Sequence, residues 1–68
     1  MDLTIQLNGK TKSIAQTASI TTILKEYKLN PFAVVVEINQ TAVDKSTFDT
    51  TTISNGDCIE ILQFVGGG

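Results

Sequence analysis

Asp2-Leu3-Thr4-Ile5-Gln6-Leu7-Asn8-Gly9 opens the fold, and its reading constrains everything after it. Leu3, Ile5 and Leu7 alternate with Asp2, Thr4, Gln6 and Asn8. Successive side chains of a strand point to opposite faces, so this pattern predicts a strand with one buried face. Asn8 and Gly9 both accept the positive φ of a type I′ turn, which sends the chain straight back as a hairpin. Thr11 to Ile14 is the expected return strand, with Lys12 and Ile14 on one face. The period then changes. Ile20, Ile23, Leu24 and Tyr27 fall at i, i+3, i+4 and i+7, one stripe of an α-helix. Ser19 is the expected N-cap, its hydroxyl accepting an orphan backbone N–H. Lys25 and Lys28 fall in the last turn, where the helix dipole favours cations, and Pro31 pushes Asn30 out of the α region to close the helix. At about nine residues, such a helix is held by packing more than by propensity.

The rest of the chain returns to strand chemistry. Phe32 to Ile38 is a β-branched run with Val34, Val36 and Ile38 on one face and Val35 and Glu37 on the other. Asn39-Gln40 turns into a weak strand at Thr41 to Val43. Asp44 to Thr52 is polar and Thr-rich, a loop with one turn of helix at most, anchored by Phe48 and Ile53. Asn55-Gly56-Asp57 is another turn, and Cys58 to Val65 is the last strand. Strand, hairpin, strand, helix, strand, weak strand, loop and strand is the order of a β-grasp (ubiquitin-like) fold. It is an α+β architecture in which a mixed sheet of four or five strands wraps one helix. The first and last strands would lie parallel at its centre, joined through the crossover helix that parallel neighbours require. Residues 1–65 form the domain in this reading, and residues 66–68 a flexible tail.

Composition excludes most conventional chemistry. The chain has 68 residues, with five Lys, no Arg, no His, one Cys and seven acids. A domain of this size buries only about 60% of the surface its unfolded chain exposes, leaving little core around which to enclose an active site. Without His the commonest general base is missing. Without Arg no side chain can clamp phosphate bidentately. One Cys builds neither an internal disulfide nor a Cys-only zinc site, and no metal ligand set is expected. A net charge of −2 argues against nucleic acid. The first residues carry no basic and apolar leader, and no apolar run reaches the roughly 20 residues of a membrane span. A cytoplasmic protein, monomeric when free, is the expectation. No intrinsic catalytic residue is expected either.

The anomaly is at the other end. Phe64-Val65 is followed by Gly66, Gly67 and Gly68. Glycine lacks a Cβ, so such a run can thread a slot too narrow for any side chain. Four residues past Phe64 reach roughly 13 Å, enough to present a carboxylate inside another protein's active site while the body stays outside. The carboxylate itself is inert; an adenylating enzyme could make it an acyl-phosphate anhydride, from which a sulfur nucleophile displaces AMP. The plain alternative is a flexible terminus or an expression remnant.

The element order, the turn Asn55-Gly56-Asp57 before the last strand and the ending Gln63-Phe64-Val65-Gly66-Gly67-Gly68 resemble the ThiS family, the small sulfur carriers of thiamine (thiazole) biosynthesis. Ile5-Gln6-Leu7-Asn8-Gly9 is similar to that family's opening strand and turn, and Ile38-Asn39-Gln40 with Val43 to its central hairpin. The resemblance spans essentially the whole chain. It implies that Gly68 is adenylated by a ThiF-type enzyme using ATP and Mg²⁺, with no cofactor bound by the carrier itself. The resulting thiocarboxylate, its sulfur drawn from a cysteine desulfurase-type donor, would pass its sulfur to thiazole synthase, ThiG. Asp44-Lys45-Ser46 departs from the family's frequent Val-Pro-Arg, which bears on that loop and not on the tail. A MoaD-type carrier of the molybdopterin pathway, a ubiquitin-like modifier and a ubiquitin-like interaction module that never uses its terminus chemically are the alternatives.

Alternation along the last strand puts Ile59 and Ile61 on one face and Cys58, Glu60, Leu62 and Phe64 on the other. With the isoleucines under the helix, Leu62 and Phe64 stand on the open sheet face with Val35, and with Val65 they form the expected docking patch beside the tail. Cys58 has no His or Arg near it in sequence and reads as an ordinary strand residue. Asp57 and Glu60 read as turn and surface carboxylates, and Lys10 and Lys12 as solvated surface.

Overall fold

The computed structural model describes residues 2–64. Five strands, β1 (Asp2–Leu7), β2 (Lys10–Ala15), β3 (Val34–Ile38), β4 (Thr41–Ala42) and β5 (Cys58–Gln63), surround one helix, α1 (Ile20–Glu26). Their order across the sheet is β2-β1-β5-β3-β4. β1 and β5 are parallel at its centre, and the other pairings are antiparallel. The β-grasp expectation holds, with five strands.

The hairpin follows from its turn. Asn8 and Gly9 adopt φ of +49° and +82°, which sets the register Leu7 opposite Lys10 through Asp2 opposite Ala15. That register puts Leu3, Ile5, Leu7 and Ile14 on one face. They meet Ile20, Ile23 and Leu24 of α1 and Val34, Val36, Ile59 and Ile61 of the other central strands in a single core. Phe48 and Ile53 close it from the long connection between β4 and β5, where they are 4% and 6% exposed. One 3₁₀ turn, Lys45–Thr47, occurs in that connection.

α1 begins as read, with Ser19 as N-cap. The Ser19 hydroxyl accepts from the Thr22 N–H, and the Thr22 hydroxyl accepts in return from the Ser19 N–H, a reciprocal capping box. Its end differs from expectation. The helix stops at Glu26, with Tyr27 as C-cap and Lys28 beyond it at φ +58°. The Lys28 N–H donates to the Lys25 carbonyl and the Leu29 N–H to the Leu24 carbonyl, the paired bonds of a Schellman motif. Termination therefore comes from this left-handed turn and not from Pro31, and Lys28 is outside the last turn. Tyr27 leaves the buried stripe and is 47% exposed. Pro31 instead opens a 3₁₀ turn, Pro31–Ala33, capped by Asn30, so β3 starts at Val34 and not at Phe32. β4 ends at Ala42, with Val43 half-buried against the core. β5 ends at Gln63, and Phe64 follows it.

Three asparagines finish the ends of the sheet. At the end of β1 the Asn8 carboxamide acts as one more strand residue: its Oδ1 accepts from the Ile61 N–H at 2.8 Å and its Nδ2 donates to the Ile61 carbonyl at 3.3 Å. Asn39 Oδ1 accepts from the Cys58 N–H, and Asn55 Oδ1 from the Thr4 N–H. Each gives a backbone donor the partner that a neighbouring strand would otherwise supply.

The open sheet face and the root of the tail

β5 is the strand from which the chain's last residues emerge, and the register of its neighbours fixes what stands around that point. Leu62 lies opposite Val35, and Glu60 opposite Glu37. Ile59 and Ile61 face the helix and are buried, whereas Leu62 is 55% and Phe64 63% exposed. Val35 is half-buried. The structure thus brings Leu62 and Val35 together on the open side of the sheet, with exposed Phe64 two residues further toward the tail. The Phe64 N–H donates to the Ala33 carbonyl at 2.9 Å, extending the β3–β5 pairing by one rung. Val65, Gly66, Gly67 and Gly68 lie outside the described residues.

Phe32, though exposed, is not part of this face. It lies in the 3₁₀ turn before β3, where the Lys45 ammonium sits 4.8 Å from its ring centroid, and it lines a groove on the helix side with Thr21 and Phe48. Also on the helix side, a cleft of about 380 Å³ is lined by Asn8, Lys10, Tyr27, Leu29, Ile61 and Gln63, among others. β5 therefore leaves the body with a polar-rimmed cleft on one side and an apolar patch on the other.

The remaining candidates resolve into structural roles. The Asp57 carboxylate accepts from the Ser54 N–H at 2.8 Å and from Asn39 Nδ2 at 3.0 Å, which ties the last turn to the β3–β4 turn. Cys58 is an exposed free thiol whose backbone N–H is bonded to Asn39. Lys12 is not simply solvated: its ammonium lies 2.7 Å from Glu26 Oε2 and 5.2 Å from the Tyr27 ring centroid. The hydrogen bond to Glu26 first, and then that to Tyr27, raises its pKa above the usual lysine value. Asp44 shifts the other way, held below the usual carboxylate range by the Ser46 N–H and then the Ser46 hydroxyl. Among the described residues no group of three or more Cys, Asp or Glu side chains could hold a metal ion, and no helix is long and apolar enough to cross a membrane.

One pair escapes the sequence reading. Glu60 lies opposite Glu37 across the sheet. The signal is present, since Glu37 and Glu60 each interrupt an apolar run on the outward-facing phase, but only the β3–β5 register makes them neighbours.

A β-grasp body with an open apolar face beside its last strand, followed in sequence by three glycines, places the chain in the class of small ubiquitin-like proteins. Residues 5–68 match the model of the ThiS family. The chain is 38% identical over 65 residues to the sulfur carrier protein ThiS of Bacillus subtilis, covering 94% of this chain and 98% of that one. It is 31% identical over 62 residues to a thiazole synthase of Paramagnetospirillum magneticum, of whose length it spans 19%. The crystal structure of the thiamine biosynthesis protein ThiS from Geobacter metallireducens superposes with a TM-score of 0.79 at 33% identity, over 97% of this chain and 100% of that one. The chain belongs to the ThiS family.

Proposed function

We propose that this chain is a sulfur carrier of thiamine biosynthesis, a protein cosubstrate whose working group is the Gly68 carboxylate and which carries no catalytic residue of its own. The observation that carries the reading is the likeness to the Bacillus subtilis sulfur carrier across nearly the full length of both chains. The family match reaches Gly68 itself. In the proposed cycle a carboxylate oxygen of Gly68 attacks the α-phosphorus of ATP in a ThiF-type enzyme, which supplies the Mg²⁺, and pyrophosphate leaves. A partner's persulfide, charged by a desulfurase-type donor, then displaces AMP from the acyl carbon to give an acyl disulfide, and a thiol reductant attacks the partner's sulfur of that S–S bond, becoming disulfide-bonded to it and releasing the terminus as a thiocarboxylate. Division of labour explains the composition: the partners hold the acid–base and phosphate-binding groups, while the carrier supplies a stable body and a reach of roughly 13 Å. Gly66 and Gly67 serve the reach because they lack side chains.

The similarity to one-fifth of a thiazole synthase supports that enzyme as the sulfur acceptor, since a domain found within its partner's chain meets it at high effective concentration. Leu62, Phe64, Val65 and Val35 are the proposed docking group. Adenylation is tested by exchange of labelled pyrophosphate into ATP by a ThiF-type enzyme. The full chain should support exchange, and a variant lacking Gly67 and Gly68 should not, with its fold unchanged. Exchange at equal rates with the truncated chain would overturn the assignment.

A further inference from the structure

The cleft on the helix side lies beside the end of β5. Leu7, Leu29 and Ile61 give it apolar walls, and Lys10, Tyr27 and Gln63 give it polar groups. Two contacts bring the chain's own last residues next to it. The Asn8 carboxamide bonds to both backbone groups of Ile61, which holds the β1–β2 turn, with Lys10 just past it, against the end of β5. Phe64, one residue beyond Gln63, is fixed by its bond to the Ala33 carbonyl. Residues 65–68 follow it, and they can reach roughly 13 Å from that point. Charge agrees with this placement. None of the residues lining the cleft is an acid. Lys12, near Tyr27, is already matched by Glu26, and that is the one ion pair among the described residues, so Lys10 meets no carboxylate there.

We propose that the cleft is a binding site for the chain's own C-terminus. Residues 65–68 turn back over Gln63, Val65 covers Leu29 and Tyr27, and the Gly68 carboxylate meets the Lys10 ammonium. The inference rests on the carrier reading in taking Gly68 as the residue that bears the carboxylate. Val65 follows Ile61 and Gln63 at strand spacing, on the phase that faces the helix, and Gly66 gives the backbone the freedom to reverse. An exposed ion pair contributes only about 0.2–1 kcal/mol. Tethering makes that enough, because a short linker holds its end at an effective concentration on the order of millimolar. A contact with a Kd of about 1 mM is then roughly half formed. A partner's slot must draw the tail out before it can thread it, so the fraction bound in the cleft lowers that partner's apparent affinity. Val65 likewise joins the docking group only after the tail is released.

The test is read by NMR on the full chain at low salt, through cross-relaxation between the Gly67 and Gly68 α-protons and the Tyr27 ring or Leu29 methyls. The wild type is compared with Lys10→Gln and with Lys25→Gln, which removes one exposed charge from α1 as a control; the amide spectrum checks each fold. The cross-peaks should be present in the wild type and in Lys25→Gln. In Lys10→Gln they should fall at least about threefold, and about 0.5 M salt should weaken them in the wild type through screening. Intensity relative to intraresidue peaks should not change on tenfold dilution. Absence of the cross-peaks in the wild type, equal intensity in Lys10→Gln, or an equal fall in Lys25→Gln would each overturn the inference. Loss on dilution would do so too, by making the occupant the tail of a second copy. Cross-peaks that behave as stated in a chain that supports no pyrophosphate exchange would count against the carrier reading and leave this inference standing.

Discussion

Lys28 occupies the left-handed backbone position that ends α1, at φ +58°, where glycine is the usual occupant. A side chain there costs on the order of 1 kcal/mol, so Lys28→Gly should stabilise the protein by roughly 0.5–1 kcal/mol. Urea denaturation checks this; a loss of stability would mean that the Lys28 side chain does more than its backbone geometry indicates. Leu62 and Phe64 differ in kind, being large apolar groups left more than half exposed. Leu62→Asp and Phe64→Asp should each cost less than about 1 kcal/mol, the range for exposed sites, while weakening binding to a ThiF-type enzyme at least tenfold, in line with loss of an interface anchor. Ile61, adjacent in sequence but only 8% exposed, sets the contrast: Ile61→Ala should cost about 2–5 kcal/mol. Comparable losses at Leu62 and Ile61 would place Leu62 in the core.

At the scale of elements, local rules worked where one rule acted alone. The Asn8-Gly9 turn, the Ser19 cap and the alternation of Ile59, Ile61 and Leu62 were legible because each rests on backbone geometry or strand period. The end of α1 was not. Tyr27 fits the helical stripe by spacing, but the Schellman turn at Lys28 acts first, and no glycine marks it. Phe32 looked like strand because it is apolar and precedes a β-branched run, yet Pro31 and the Asn30 cap fold that segment into a 3₁₀ turn. The turn Lys45–Thr47 carries a pH signature through its cap. Asp44 accepts from the Ser46 N–H, and its carboxyl is held below its usual 3.8. A depressed folded-state value means the contribution is present above the unfolded pKa and is lost as pH falls through the folded one. The stability gap between wild type and Asp44→Asn should therefore shrink as pH is lowered below about 4. A gap that stays constant in acid would remove Asp44 ionisation from the account.

For the molecule as a whole, the fold was legible because element order and hydrophobic period agree with one another throughout. Of the candidate site, the outward phase of Leu62 was legible from strand alternation, while the three glycines lie outside the described residues. The opposition of Glu37 and Glu60 was not readable, because it depends on the register of two strands far apart in sequence. The structure presents exposed Leu62 and Phe64 immediately before the glycine run, and the chain has neither His nor Arg.

The central claim, that sulfur is carried on Gly68, is tested most directly by intact mass. The chain is incubated with a ThiF-type enzyme, ATP, Mg²⁺ and a sulfur donor, with the Bacillus subtilis carrier treated in parallel. Replacement of one oxygen by sulfur at the terminus of the full chain, and no change in the chain lacking Gly67 and Gly68, is the predicted result. An unchanged mass for the full chain under conditions that load the Bacillus subtilis protein would contradict it.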